Sequence, residues 1–399
     1  MTQDVNTNQR VREKPKQMTS ESGLVSDSER SFDAAPPPGG ARCPTLGSTV
    51  VVADDALFLE HVAPPEHPER GERLLAVRAG LERARAAAGA GMAALQVGDA
   101  TEEQLARVHD PAYVEALGQM AGRSGYLDSD TYISPGSVSA ARRGAGAAVS
   151  LVDALHQGRS RFGFALPRPP GHHALADRAM GFCMLNNVAI AAAHARALGR
   201  ERVLVLDWDV HHGNGTEAMF YDDPSVLFVS LHQHPAYPGS GSATDLGRGD
   251  GRGRNVNVPL PPGAADATYA AAFQRVVLPI VEQFAPDFAI VSCGFDAHAR
   301  DPLAQMQLSG RAFGTMTTAL LSTLLEPCPL GLVLEGGYDL EGLSESSEAV
   351  AAALFSHASA EPRRLEATEP SGGGAAISRE HAAALAHVQQ TLLPFWRLG

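Results

Sequence analysis

Three side chains able to hold a metal recur at alternate positions, Asp207, Asp209 and His211, directly after the apolar run 202–206 and before Gly213 and Gly215. In an extended chain, residues two apart point the same way. Two carboxylates and an imidazole would then share one face at the carboxyl end of a strand. A strand end with solvated polar residues is the plain alternative, and the loops after the other apolar runs decide between the two. Arg168-Pro-Pro-Gly-His172-His173 follows the run 161–166, and Leu231-His-Gln-His-Pro-Ala-Tyr237 follows 225–230. Cys293-Gly-Phe-Asp296 follows 287–292, and Glu335-Gly-Gly-Tyr338 follows 330–334. Asp209 and His211 supply two metal ligands, and Asp296 is the best third. Such a set leaves a coordination position open, as catalytic zinc requires. His172 and His173 supply a base and an acid. Tyr338, beside two glycines, supplies a hydroxyl to stabilise an oxyanion. Metal, base and oxyanion donor are the parts of a hydrolase acting on an amide or ester.

These loops need a scaffold that brings strand ends together. Apolar runs predict strands over 48–54, 161–166, 202–208, 225–230, 287–292 and 330–334. Three-four spacing predicts helices over 67–88, 111–120, 135–157, 185–198, around Glu217, 309–325, 340–355 and 378–392, and one over 269–284 kinked at Pro279. The alternation implies an α/β fold: one large domain, a mostly parallel sheet flanked by helices on both faces, the site at the carboxyl ends of the strands. That domain is expected over 47–399, with a Gly-rich spacer at 371–374. Residues 1–46, polar and then Pro/Gly-rich, are expected to be a disordered tail.

Of 399 residues, 44% are hydrophobic, enough for a large core. A net charge of −13 argues against nucleic-acid partners, and no tract is long and apolar enough to predict a membrane span. Cys43, Cys183, Cys293 and Cys328 are widely spaced. Free thiols in a reducing compartment are expected. With no apolar signal segment near Met1, the expected location is cytoplasmic.

Four blocks, Arg168-Pro-Pro-Gly-His-His, Asp207-Trp-Asp-Val-His-His-Gly-Asn-Gly-Thr, Gly294-Phe-Asp and Glu335-Gly-Gly-Tyr, resemble the signature blocks of zinc-dependent histone deacetylases and their bacterial amidohydrolase relatives. They stand in that family's order, and the likeness spans residues 48 to about 356. The class II and bacterial branch fits best, because Asn214 stands where class I members usually have Asp. The resemblance implies the arginase/deacetylase fold and zinc on Asp209, His211 and Asp296. It makes His173 the general base and then the acid to the leaving amine. His172 orients the water, Tyr338 donates to the oxyanion and Asp207 supports His172. Asn214 contacts His173, and as a neutral amide it keeps that base neutral near pH 7. A structural potassium ion is implied on Asp207, Asp209, His211, Ser230 and Leu231, and a second monovalent ion near Phe220, Asp223 and Val226. Gly181, Phe182 and Tyr237 match the walls of an acyl-lysine tunnel, with Leu303 at its rim where polyamine-specific relatives carry glutamate. Arg73 matches an inner channel for acetate release.

The implied partners are an acetylated lysine peptide or protein, or a small acetylated amine; a homo-oligomer is compatible with this. Acetylpolyamine deacetylation is one alternative, which Leu303 argues against. A two-metal amidinohydrolase would need a second acidic ligand two residues after Asp296. A catalytically idle acetyl-lysine-binding module would have lost a ligand, base or donor, and none is lost. His212 is expected to be structural. His232, His234 and His298 are expected on loops at the rim or behind the site.

Overall fold

The computed structural model describes residues 49–359 and 377–399. The expected tail over 1–46, the spacer over 371–374 and Cys43 lie outside the described residues. The strands are β1 (Thr49–Ala53), β2 (Gly91–Ala94), β3 (Gly125–Tyr126), β4 (Tyr132–Ile133) and β5 (Phe162–Ala165). There follow β6 (Val203–Asp207), β7 (Val226–Gln233), β8 (Asn255–Leu260), β9 (Phe288–Cys293) and β10 (Leu330–Leu334). Eight of them form one parallel sheet in the order β2-β1-β5-β10-β9-β6-β7-β8, and β3 and β4 make a small antiparallel hairpin.

The central strands read as unbroken apolar runs because helices cover both faces. Val203, Leu204, Val205 and Leu206 of β6 are all fully buried, each side chain contributing roughly 1.5–3 kcal/mol. Longer helices are α1 (Glu72–Ala88), α4 (Ser137–His156), α5 (Asn187–Ala197), α9 (Gly310–Thr323), α10 (Leu340–Ser359) and α11 (Arg379–Leu392). Shorter ones are α2 (Glu102–Leu105), α3 (Pro111–Gly118), α6 (Asn214–Phe220), α7 (Asp266–Ala272) and α8 (Leu278–Phe284). α1 packs on α10 and α10 on α9. α4 lies against β1, β5 and β10, α5 against β6 and β9, and α11 against β8.

The strands whose loops carry the chemistry, β5, β10, β9, β6 and β7, are five consecutive neighbours in the sheet. Their carboxyl ends are level: Asp207 is the Cα partner of both Ser292 and Ser230, and Leu334 of Cys293. Residues as far apart in sequence as His172 and Tyr338 therefore meet at one edge.

Several local readings change. The helix expected from residue 67 starts at Glu72, because the chain bends at 68 and 69 and the Glu69 N–H donates to His67 Nδ1. β7 runs to Gln233, since its last residues pair with β8, an edge strand that carries Pro259. The break expected at Pro279 is a π-turn over Phe273–Val277. Pro279 has no N–H for the Arg275 carbonyl. The Leu278 N–H instead reaches Phe273 O, and Gln389 Nε2 donates to Arg275 O at 3.5 Å.

Candidate active site

β6 ends at Asp207, so extended chain does not align the alternating residues; turns do. The Asp209 N–H donates to Asp207 Oδ1 (3.1 Å), and the His211 N–H donates to Asp209 Oδ1 (2.9 Å). Each carboxylate folds the chain back on the amide two residues on, a turn that Asp favours. Asp209, His211 and Asp296 converge, with one donor atom from each within 4.8 Å of the others. His211 Nδ1 lies 3.2 Å from Asp209 Oδ1 and 3.1 Å from Asp296 Oδ2. Tetrahedral ligands about 2.0–2.1 Å from one ion stand roughly 3.3 Å apart, so this spacing fits a metal.

Backbone amides fix the carboxylates. The Val210 N–H holds Asp296 Oδ1 and the Gly336 N–H holds Asp209 Oδ2, both at 2.8 Å. Glycine is required at 336: a Cβ there would sit 2.6 Å from Asp209 Oδ2 and closer still to Asp296 Oδ2. Burial, with the charge of Asp209 beside it, raises the Asp296 carboxyl to about 6. Burial would lower His211, but hydrogen bonds to the two carboxylates hold it at about 10. Fully buried acids of this kind call for a cation.

His172 and His173 stack with ring centroids 4.0 Å apart, yet their partners differ. His172 Nδ1–H donates to the Asp207 carboxylate (2.9 Å), and Nε2 lies 3.7 Å from Asp209 Oδ1. Burial alone would lower its pKa; Asp209 and Asp207 overcome this and raise it to about 10. His173 Nδ1–H donates to the neutral Asn214 Oδ1 (2.8 Å), which leaves Nε2 with the lone pair. Burial, then the imidazoles of His172 and His211, hold His173 well below its ordinary value. Two adjacent histidines thus have opposite protonation preferences.

Tyr338 follows Gly337, whose φ of 114° favours glycine. Its ring lies 4.9 Å from the Arg73 guanidinium and edge-on to Phe182, 5.9 Å between centroids. Gly181 and Phe182 both have positive φ (59° and 67°), and a Cβ on Gly181 would strike the His173 ring. Tyr237 meets His173 edge-on at 5.1 Å. An open cleft of about 370 Å³ is lined by His211, Gln233, Pro235, Tyr237, Pro302 and Leu303. Tyr237 (39% exposed) and Leu303 (42%) stand at its mouth. A larger open cleft of about 590 Å³ beside Arg254 and Trp396 holds none of these groups.

The expected residues therefore come together. Ser230 and Leu231 are buried on β7 beside Asp207, and Ser230 Oγ bonds His232 Nδ1 (3.0 Å). His232 is not on a loop: it is a fully buried residue of β7, because that strand is longer than expected. His298 is buried behind the site, 3.6 Å from Glu345. The buried Cys183, Cys293 and Cys328 are free, and burial pushes their thiols up, which makes them poor nucleophiles.

Four supports received no role from the sequence, although Glu335 stands in one of its blocks. Glu335 accepts the N–H groups of Gly171 (2.6 Å) and His172 (3.1 Å). Asp301 accepts the Tyr338 N–H (2.7 Å). Fully buried Glu69 pairs with Arg168 (2.7 Å) and Arg73 (2.9 Å), and Arg73 donates to the carbonyls of Glu335 and Gly337. His109 Nδ1–H donates to Leu175 O (3.0 Å), and its Nε2 accepts the Asn186 N–H (2.9 Å). Asn186 Nδ2 in turn donates to the carbonyls of His172 and Ala174.

A sequence profile of the histone deacetylase domain matches residues 67–354. Histone deacetylase 15 of Arabidopsis thaliana is 41% identical over 79% of this chain and 58% of its own length. The histone deacetylase-like amidohydrolase of Pseudomonas aeruginosa is 45% identical over 60% of this chain and 64% of its own. A probable deacetylase of Archaeoglobus fulgidus is 38% identical over 71% and 80%. This chain thus spans about three fifths of the plant and Pseudomonas relatives. The crystal structure of the HDA15 HD domain superimposes with a TM-score of 0.78 at 39% identity, covering 88% of this chain and 96% of that one. With all five site loops inside the matched residues, this chain belongs to the histone deacetylase family.

Proposed function

We propose that this protein is a zinc-dependent amidohydrolase that removes acetyl or other short acyl groups from the amine of lysine side chains or related amines. The observation that carries the reading is the histidine pair beside the metal-ligating triad, one on a carboxylate and one on an amide. Asp209, His211 and Asp296 would hold zinc, which supplies a polarised acyl carbonyl and a water of lowered pKa. His173, neutral and protonated only at Nδ1, takes the water proton at Nε2 and later passes it to the leaving amine. His172, held charged by Asp207, orients the water and stabilises negative charge. Tyr338 donates its hydroxyl to the oxyanion. Phe182 and Tyr237 flank the aliphatic stem of the substrate.

Asp207, Ser230 and the carbonyls of Asp209, His211 and Leu231 are proposed to hold a potassium ion. The mouth residues Tyr237, Pro302 and Leu303 carry no acidic group, which supports acyl-lysine over an acetylated polyamine. The test is acetate release from an acetyl-lysine peptide by the protein and its Tyr338→Phe variant. A loss of ~10²–10³ in kcat is expected, the usual effect of removing one oxyanion donor. An unimpaired variant refutes the role given to Tyr338.

A further inference from the structure

The hydrogen bonds that hold Tyr338 run through its backbone, and its ring is held only by packing. The preceding Gly337 has a backbone conformation that a side chain would not enforce. The place of the hydroxyl therefore depends on what grips the turn. Arg73 Nε takes the Gly337 carbonyl at 2.5 Å. The next amide, that of Tyr338 itself, donates to Asp301 Oδ2 at 2.7 Å. The other oxygen of the same carboxylate accepts the N–H of Leu303 at 2.9 Å, and Leu303 lines the cleft mouth.

We infer that Asp301 is a positioning residue for the oxyanion donor, its single carboxylate tying the Tyr338 backbone to the mouth of the cleft. A loop residue that only shaped its own turn would need the Leu303 bond alone. The second oxygen is committed to a residue 37 positions away, on another strand end. The tie also closes a ring. The Asp301 N–H donates to His298 O (2.9 Å), the His298 N–H to Phe295 O (3.2 Å), and the Phe295 N–H to Gly336 O (3.0 Å). The segment carrying Asp296 and the turn carrying Tyr338 are thus fastened at both ends. Both oxygens of Asp301 accept backbone N–H groups, and Asp301 is almost fully buried, so water does not replace it. Movement of the mouth at Leu303 is transmitted to the hydroxyl through two bonds to one rigid group.

This inference rests on Tyr338 being the oxyanion donor, and the test separates the two ideas. Asp301→Ala is made alone and in the Tyr338→Phe background, with kcat and KM measured on an acetyl-lysine peptide and bound zinc measured for each protein. With Tyr338 present, kcat should fall at least ten-fold, with KM within two-fold and zinc retained. In the Tyr338→Phe background the same change should cost less than two-fold, because the positioned hydroxyl is already gone. An equal loss in both backgrounds, a loss carried by KM, or no loss overturns the inference. Full activity of Tyr338→Phe alone overturns the proposed role of Tyr338 instead. Should Asp301→Ala fail to fold, the α-hydroxy analogue of tyrosine introduced at 338 replaces only the amide N–H by an ester oxygen. A ten-fold lower kcat then supports the tie, and an unchanged kcat overturns it.

Discussion

Replacing Asn214 with Asp changes one atom at the point where the two histidines are told apart. Asn214 Oδ1 accepts the His173 Nδ1–H at 2.8 Å. A full negative charge there would attract an imidazolium by about 6 kcal/mol at an effective dielectric near 20. Burying the new carboxylate takes back much of that, and carboxylates so placed shift a partner's pKa by about 1–3 in practice. Asn214 Nδ2 otherwise contacts only Met180 Sδ at 3.4 Å, so the exchange costs little elsewhere. His173 is now held well below its ordinary value by burial and by the neighbouring imidazoles. The variant should raise it. Because the base must be neutral to act, the acidic limb of kcat/KM against pH should move up by about 1–3 pH units. The assay is acetate release from an acetyl-lysine peptide between pH 5 and pH 9, on zinc-loaded protein. An acidic limb that stays in place or moves down would refute the assignment of His173 as the base.

Two further predictions concern the supports. A Cβ at position 336 would press on both Asp209 and Asp296, so Gly336→Ala should bind zinc at least ten-fold more weakly; wild-type metal content would contradict this. His109 is buried and neutral, and burial takes its pKa from 6.5 to about 4. The unfolded chain gains a proton below pH 6.5 that the folded chain refuses until about pH 4. The contribution of this one group to stability is therefore full above pH 6.5 and falls by roughly 3 kcal/mol as the pH drops to 4. Urea unfolding of the protein and of His109→Gln should show a shallower pH dependence in the variant, and parallel curves would contradict the assignment.

What could be read from the chain was what is local. β6, β9 and β10 are short apolar runs, each followed at once by its chemical residues, so strand and site appear in one window. β8 was not foreseen because alternating Asn255 and Asn257 and then Pro259 disguise a buried edge strand. β2, Gly-Met-Ala-Ala, has little strand propensity and forms only by pairing with β1. Glu69, Asp301 and His109 escaped notice, and Glu335 was given no role, for a different reason. Each acts on a partner 37 to 164 positions away, and that partner cannot be read from its own neighbourhood. The alternation of Asp207, Asp209 and His211 suggested one face of an extended strand, whereas hydrogen-bonded turns bring these side chains to the site.

Asp209, His211 and Asp296 are proposed to hold one zinc ion on which hydrolysis depends. The direct measurement is a zinc titration of chelator-treated protein, following acetate release and bound metal together. Activity absent from the stripped protein and rising in proportion to zinc up to one ion per chain is the predicted result. Full activity with no bound metal, or activity that appears only beyond a second ion per chain, would contradict it.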